Sequence, residues 1–256
     1  MRAGVLRGCV VLALSLSGPG AVQAGHDGSA PDELLVAHTT AQSMPWGRME
    51  ARRMVAGIHH DLAVAVARRL GWRLRYVYLT EYKGELADID RHADLRCGLD
   101  PSWTRRPEAY HWSEPLFDTS DQLIGHEGAP PLRSLSELPG GVSVGTVRSY
   151  RYPTLEARFS KGEIKREDAL DQGGALSKLS RQRTPYAVVS PQVLAWYLRH
   201  TPDHGIAEWR VTVQQSAYYC GVPQSTRKDA GKILDAVHAL QREGELQRIL
   251  AGNTPR

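Results

Sequence analysis

Apolar residues along the chain gather in short blocks, and their spacing alternates between two periods. Leu34-Leu35-Val36-Ala37 is a compact apolar run, which predicts a buried strand. Residues 42–56 are irregular and contain Met44-Pro45-Trp46-Gly47. Leu62, Val66 and Leu70 then recur every four residues, with Arg68 and Arg69 off that stripe. This predicts a helix over 61–70 with Gly71 as its C-cap. Residues 74–79 (LRYVYL) are rich in β-formers and read as a strand; 86–89 read as a short helix and 94–99 (DLRCGL) as another strand. A strand–helix–strand–helix–strand order implies a parallel sheet with helices on both faces.

A second series follows. Residues 116–125 read as extended and lead into a Gly/Pro-rich segment at 128–131. A helical turn is expected at 135–138, a strand at 142–147 (VSVGTV) and a short helix at 153–159 opened by Pro153. Ile164 precedes a charged stretch. A helix is expected over 174–182 and a buried strand over 186–189 (YAVV). Ser190 and Pro191 suit the N-cap and first turn of a helix running to Arg199. Near the end, 217–222 (AYYCGV) reads as a strand whose better home is the first series. Ser225 or Thr226 then caps a helix with Ala230, Ile233, Leu234, Val237 and Leu240 on one face. Gly244 breaks it, and Leu246, Ile249 and Leu250 form a last turn or two. The chain therefore reads as α/β, one α/β unit lying inside another.

The first residues change the picture. Arg2 and Arg7 form a positive region, residues 9–17 (CVVLALSLS) an apolar run of nine, and Val22-Gln23-Ala24 a small-residue cleavage pattern. This is the layout of a secretory signal peptide cut after Ala24, and the run is shorter than the ~20 residues that span a bilayer. Cleavage removes two arginines and no acid, so 30 basic and 28 acidic residues leave a net charge of +2. That is too little to argue for nucleic acid or an anionic membrane. Hydrophobic residues make up 41% of the chain, which excludes intrinsic disorder. Cys97 and Cys220 remain after cleavage, and in an oxidising compartment such a pair is a disulfide candidate.

Several segments, taken in order, resemble the bacterial extracellular solute-binding proteins of family 3, the periplasmic receptors of polar amino-acid transporters. Gly57-Ile58-His59-His60-Asp61-Leu62 is similar to the family's "G-F-D-x-D-L", and Asp94-Leu95-Arg96 to its "aD-x-x" strand. Thr104 and Arg106 with Trp112-Ser113-Glu114-Pro115 resemble "T-x-x-R…f-S-x-P". Residues 135–141 with Gly145-Thr146 resemble "dL-x-G-x-x-vGv", and Gly221-Val222-Pro223 with Gly244 the closing pattern. The resemblance spans about residues 33–251. It implies a type II periplasmic binding fold of two lobes, the second inserted in the first and joined to it by two hinge strands. Lobe 1 would be 32–118 with 216–256, and lobe 2 would be 122–213. It also implies that the strand with Cys97 lies beside the strand with Cys220, so that the two form a disulfide or remain paired thiols.

The same resemblance implies a ligand site. A free amino acid needs a cation for its carboxylate and acceptors for its ammonium, and arginine's planar fork suits the first. The family position falls on Arg106, with Arg105 as the adjacent alternative. Ser102 and Thr104 match small hydroxyl positions. Asp100 departs from the pattern: it either binds a ligand ammonium, pairs with Arg106 or caps a turn. Arg148, Ser149 and Tyr150 follow a strand where backbone amides and a hydroxyl hold the carboxylate, and Arg148 adds a second cation. Ser190 stands where the family has an aspartate, and serves as acceptor or N-cap. Trp46 either stacks on the ligand or packs in the lobe core; Trp103 and Trp112 read as core.

The function expected is capture of a small polar solute, amino-acid-like or anionic, in the periplasm for an ABC-type transporter. The partners are a small-molecule ligand and an inner-membrane permease; the protein acts as a monomer without cofactor. The alternatives are a sensing module without transport and a dehydratase-like enzyme, for which Asp100 with His111 is the one available acid–base pairing. His59-His60 carries no metal-ligand spacing, and no nucleophile elbow, zinc-protease motif or P-loop is present.

Overall fold

The first parallel pair is built as its apolar run demands. In this computed structural model, which describes residues 1, 32–51, 53–79, 92–148 and 150–254, β1 (Glu33–Thr39) pairs with β4 (Arg73–Leu79), Val36 opposite Tyr76. The signal peptide with its cleavage after Ala24, the helix expected at 86–89, and Ser149 lie outside the described residues. The crossover is α1 (Ile58–Leu70), which begins three residues before the expected start because Ile58 is itself fully buried. Gly57 precedes it at φ 104, and a β-carbon there would lie 2.7 Å from the Gly47 backbone. Gly71, at φ 70, closes the helix with its N–H on Ala67 and Arg68 carbonyls. The stretch expected to be irregular carries a small hairpin, β2 (Arg48–Glu50) with β3 (Arg53–Ala56). Its strands are too short and exposed to leave an apolar signature.

Leu95 bridges Val36 in parallel, so β5 (Arg96–Leu99) continues the first sheet. The long β11 (Val211–Pro223) runs antiparallel to β5, to β6 (Tyr110–Trp112) and to β7 (Phe117–Gly125). It extends well beyond the expected 217–222 and pairs with β7 from Phe117 to Leu123. These two strands carry the chain into a second sheet with β10 (Tyr186–Val189), β8 (Ser143–Val147) and β9 (Lys165–Ala169), in the order β5-β11-β7-β10-β8-β9. β9 is the stretch read only as charged. It is an edge strand, where polar residues are expected to face solvent.

Helices cover both sheets: α2 (Pro153–Ser160), α3 (Gln172–Ser180), α4 (Pro191–His200), α5 (Ala230–Arg242) and α6 (Glu245–Asn253). Ser190 caps α4 by accepting from Val193 N, as its sequence position suggests. The cap of α5 is Asp229, not Ser225 or Thr226. Thr226 instead donates to Asp94 Oδ1 at 2.7 Å.

Adjacent residues of the central strands face different cores. In β10, Ala187 and Val189 join an apolar cluster with α3, α4 and the first-lobe residues Leu34, Ile58 and Val222, whereas Tyr186 and Val188 join a second cluster with Leu123, Val144, Leu155 and Ile164. This period of two, buried on both sides, is the mark of a central strand. The result is an α/β fold of two sheet-and-helix lobes, the second lying within the first and linked to it by β7 and β11. A disulfide joins Cys97 to Cys220 across the paired strands β5 and β11, as the resemblance implied.

Candidate ligand-binding site

The carboxyl end of β1, the length of β5, the segment after β8, the loop ending β10 and the middle of the two linking strands converge on one cavity of about 150 Å³. Crevices at strand carboxyl ends are the usual ligand sites of open α/β sheets. Its first wall is aromatic. Trp46 stacks on His59 at 5.6 Å and on Tyr218 at 5.7 Å, and His59 stacks on His38 at 4.8 Å. The cis Met44–Pro45 bond lies just before Trp46, and Gly98, at φ 78, passes 2.8 Å from His59 Nε2 as measured to a β-carbon it lacks.

Both histidines are held neutral. Burial lowers His59 to about 3. His38 is held well below the ordinary histidine range by burial, then by His59 and Arg96. His59 Nδ1 lies 2.8 Å from Gln42 Oε1, a contact that requires the proton on Nδ1.

The opposite wall brings polar groups from the linking strands and the second lobe. Thr119, Ser120 and Asp121 of β7 line the cavity, as do Tyr150, Arg151, Gln172 and Ser190. Asp121 is raised to about 6 by burial, partly offset by a hydrogen bond from Gln214 Nε2 at 3.0 Å. Burial also pushes Tyr150 up to about 12, so it stays a neutral phenol. Two contacts cross between the lobes at the cavity mouth. Trp46 Nε1 donates to Ser190 Oγ at 3.1 Å, and Gly173 N donates to Ser43 Oγ at 2.9 Å. Gln172 Oε1 accepts from Ser190 N at 2.7 Å and fixes that end of the bridge.

Of the residues expected at the site, Trp46, Tyr150 and Ser190 line the cavity. Asp100, Ser102, Thr104 and Arg106 do not. Asp100 accepts from Ser102 N at 2.8 Å, Ser102 Oγ at 2.6 Å and Ala217 N at 3.0 Å, which folds the chain into a short turn against β11. Thr104 Oγ1 is taken by Arg106 N at 3.2 Å. Arg105 and Arg106 are exposed beyond that turn, and Arg148 is exposed on the turn after β8. His111 is exposed on β6, so its pairing with Asp100 does not reach the cavity.

Among the described residues the arginines that line the cavity are Arg96 and Arg151. Arg96 is 9% exposed and donates to Tyr110 Oη at 3.2 Å. An arginine between Leu95 and Cys97 within a buried strand is a visible signal, since arginine is almost never fully buried without a partner. Asp121 carried a fainter one, a charge in the middle of an extended segment. Trp103, read as core, lines the cavity; Trp112 donates to Pro107 O at 2.8 Å and does not. His60 meets Tyr76 Oη at 2.9 Å, and among the described residues no group of three His, Cys, Asp or Glu could hold a metal ion.

No protein-family model matches the chain, and no curated protein matches it either. Solved structures do match its shape. An ancestral arginine-binding protein bound to arginine superposes with a TM-score of 0.70 at 20% identity, over 86% of this chain and 97% of that one. The GluR0 ligand-binding core in complex with L-glutamate gives 0.69 at 16% identity, over 89% and 100%. The ancestral amino-acid-binding protein AncCDT-1, a precursor of cyclohexadienyl dehydratase, gives 0.68 at 16% identity, over 87% and 96%. The fold is thus that of the two-lobe periplasmic binding proteins, and its neighbours are mostly binding proteins.

Proposed function

We propose that the protein is a periplasmic receptor that captures one small amino-acid-like solute in the interlobe cavity and presents it to an ABC-type transporter. One observation carries this reading. Among the described residues six buried side-chain polar atoms have no hydrogen-bond partner, and three of them, His38 Nε2, Trp103 Nε1 and Tyr218 Oη, belong to residues that line this one cavity. Such orphans are rare in folded proteins and costly, so their concentration marks a place where a ligand completes the bonding. Arg96 and Arg151 supply cations for a carboxylate, and the aromatic wall supplies apolar contact. The cavity is smaller than the ~300–1,000 Å³ typical of drug-sized ligands, which fits a single metabolite.

The lobes we assign to this receptor are 32–118 with 216–256, and 122–213. The pattern at residues 1–24 and the disulfide both fit export to an oxidising compartment. Capture involves no chemistry of the protein's own; the ligand bridges two lobes that close by a hinge, and a monomer docks on its permease. The test is a melting-temperature screen of the mature chain with L-arginine, L-glutamine, L-glutamate, succinate and glucose. An amino acid should raise the melting temperature in proportion to the logarithm of its concentration. A rise only with glucose, or with none of the five, refutes the reading.

A further inference from the structure

Among the described residues that line the cavity Asp121 is the only acid. It sits in the middle of β7, where the register of β11 shifts between Thr212 and Gln214 and sets Gln214 directly opposite it. The Gln214 amide donates to Asp121 Oδ2. Among the described residues no arginine or lysine pairs with this carboxylate, and no donor is bonded to Oδ1. Asp121 is half-buried on β7; a carboxylate drawn partly out of water without a cation is costly, and a protein retains one where something else supplies the charge.

We propose that Asp121 is the anion that receives the ligand's cationic nitrogen, an ammonium or a guanidinium. This rests on the reading of the cavity as a solute site and adds the chemistry it selects. The ligand must carry a protonated nitrogen, placed against the linking strands rather than against either lobe. Thr119 and Ser120 beside Asp121, and Tyr150 across from it, complete a polar pocket that a neutral or purely anionic solute leaves unsatisfied. The upward shift of the Asp121 carboxyl, caused by burial with only an amide to offset it, is the expected state of such a site before its cation arrives. The linking strands are also where the lobes pivot. A cation held there bonds at the hinge itself, so recognition of charge and closure are joined at one residue.

The experiment is calorimetric titration of the wild type, Asp121→Asn and Asp121→Glu with four probes. L-arginine carries two cationic nitrogens and L-glutamine one; agmatine is a cation without carboxylate, and succinate is a dicarboxylate without nitrogen. The wild type should bind at least one of the first three and not succinate. Asp121→Asn should weaken that binding by more than about tenfold, the loss expected when one member of a buried charge pair is removed. Asp121→Glu should recover part of it. Circular dichroism and melting of unliganded Asp121→Asn should show a fold as stable as the wild type or more so, because the variant removes an uncompensated charge. Binding unchanged in Asp121→Asn overturns the inference while leaving the solute-site reading intact. Preferential binding of succinate overturns it as well. A wild type silent to all four probes brings down the reading itself, and the inference with it.

Discussion

Arg96 and Arg106 are ten positions apart and face different surroundings: one lines the cavity from a buried strand, the other is exposed beyond the Asp100 turn. Arg96→Gln should therefore weaken amino-acid binding by more than about tenfold, and Arg106→Ala should change it less than about twofold. Calorimetry on the two variants decides, and the reverse ranking would return the anchoring role to Arg106. Asp121 gives a second test at this scale. Its folded carboxyl lies at about 6, above the ordinary carboxylate value, because burial disfavours the charge. The stability it contributes is thus fully present below about pH 4 and is lost as pH rises through about 6. His38 and His59, both lowered, act with the opposite sign and lose stability as pH falls below the ordinary histidine value of about 6.5. The readout is accordingly the difference in melting temperature between the wild type and Asp121→Asn across pH 4–7. It should grow in favour of the variant as pH rises; a flat difference refutes the assignment.

At the level of elements, the disulfide ties β5 to β11 at positions 123 residues apart in the chain. β5 carries Arg96, Gly98 and Leu99 of the cavity, and β11 carries Tyr218. Removing the bond should cost about 2–4 kcal/mol through the freed loop of the unfolded chain. Denaturant unfolding of the Cys97→Ser/Cys220→Ser double variant measures it. An unchanged midpoint would mean that strand pairing alone holds the site. Much of this level was readable in advance. The Leu62–Val66–Leu70 stripe, the Ser190–Pro191 helix start and the two-sided burial of 186–189 each follow from local spacing. Two of the missed elements face mostly solvent. The β2–β3 hairpin and the edge strand β9 leave no apolar period because they bury little, and Asp229 took the capping role once Thr226 was drawn to Asp94.

For the whole molecule, the bridge from Trp46 Nε1 to Ser190 Oγ and that from Gly173 N to Ser43 Oγ join the lobes across the cavity mouth. Trp46→Phe keeps an aromatic ring in the stack and removes the donor, together with part of the indole surface. A hydrogen bond of this kind contributes about 0.5–1.5 kcal/mol net, so affinity for a bound amino acid should fall about two- to tenfold. The ligand-induced decrease in radius of gyration, measured by X-ray scattering, should shrink with it. Unaltered affinity and scattering would show that closure does not depend on this bridge.

The local chain settles where most strands and helices form, because each element's period and caps are set by its own residues. The resemblance that the ordered motifs carry implies two nested lobes and the pairing of Cys97 with Cys220. The composition of the cavity is not local in that sense. Ser190 and Trp46 are 144 positions apart and meet through a hydrogen bond. Asp121 lines the cavity from β7 and meets Gln214 where the register of β11 shifts, and Arg106 lies outside the cavity, beyond the turn that Asp100 closes on Ala217. These are contacts between distant segments, and only the folded chain brings them into one volume.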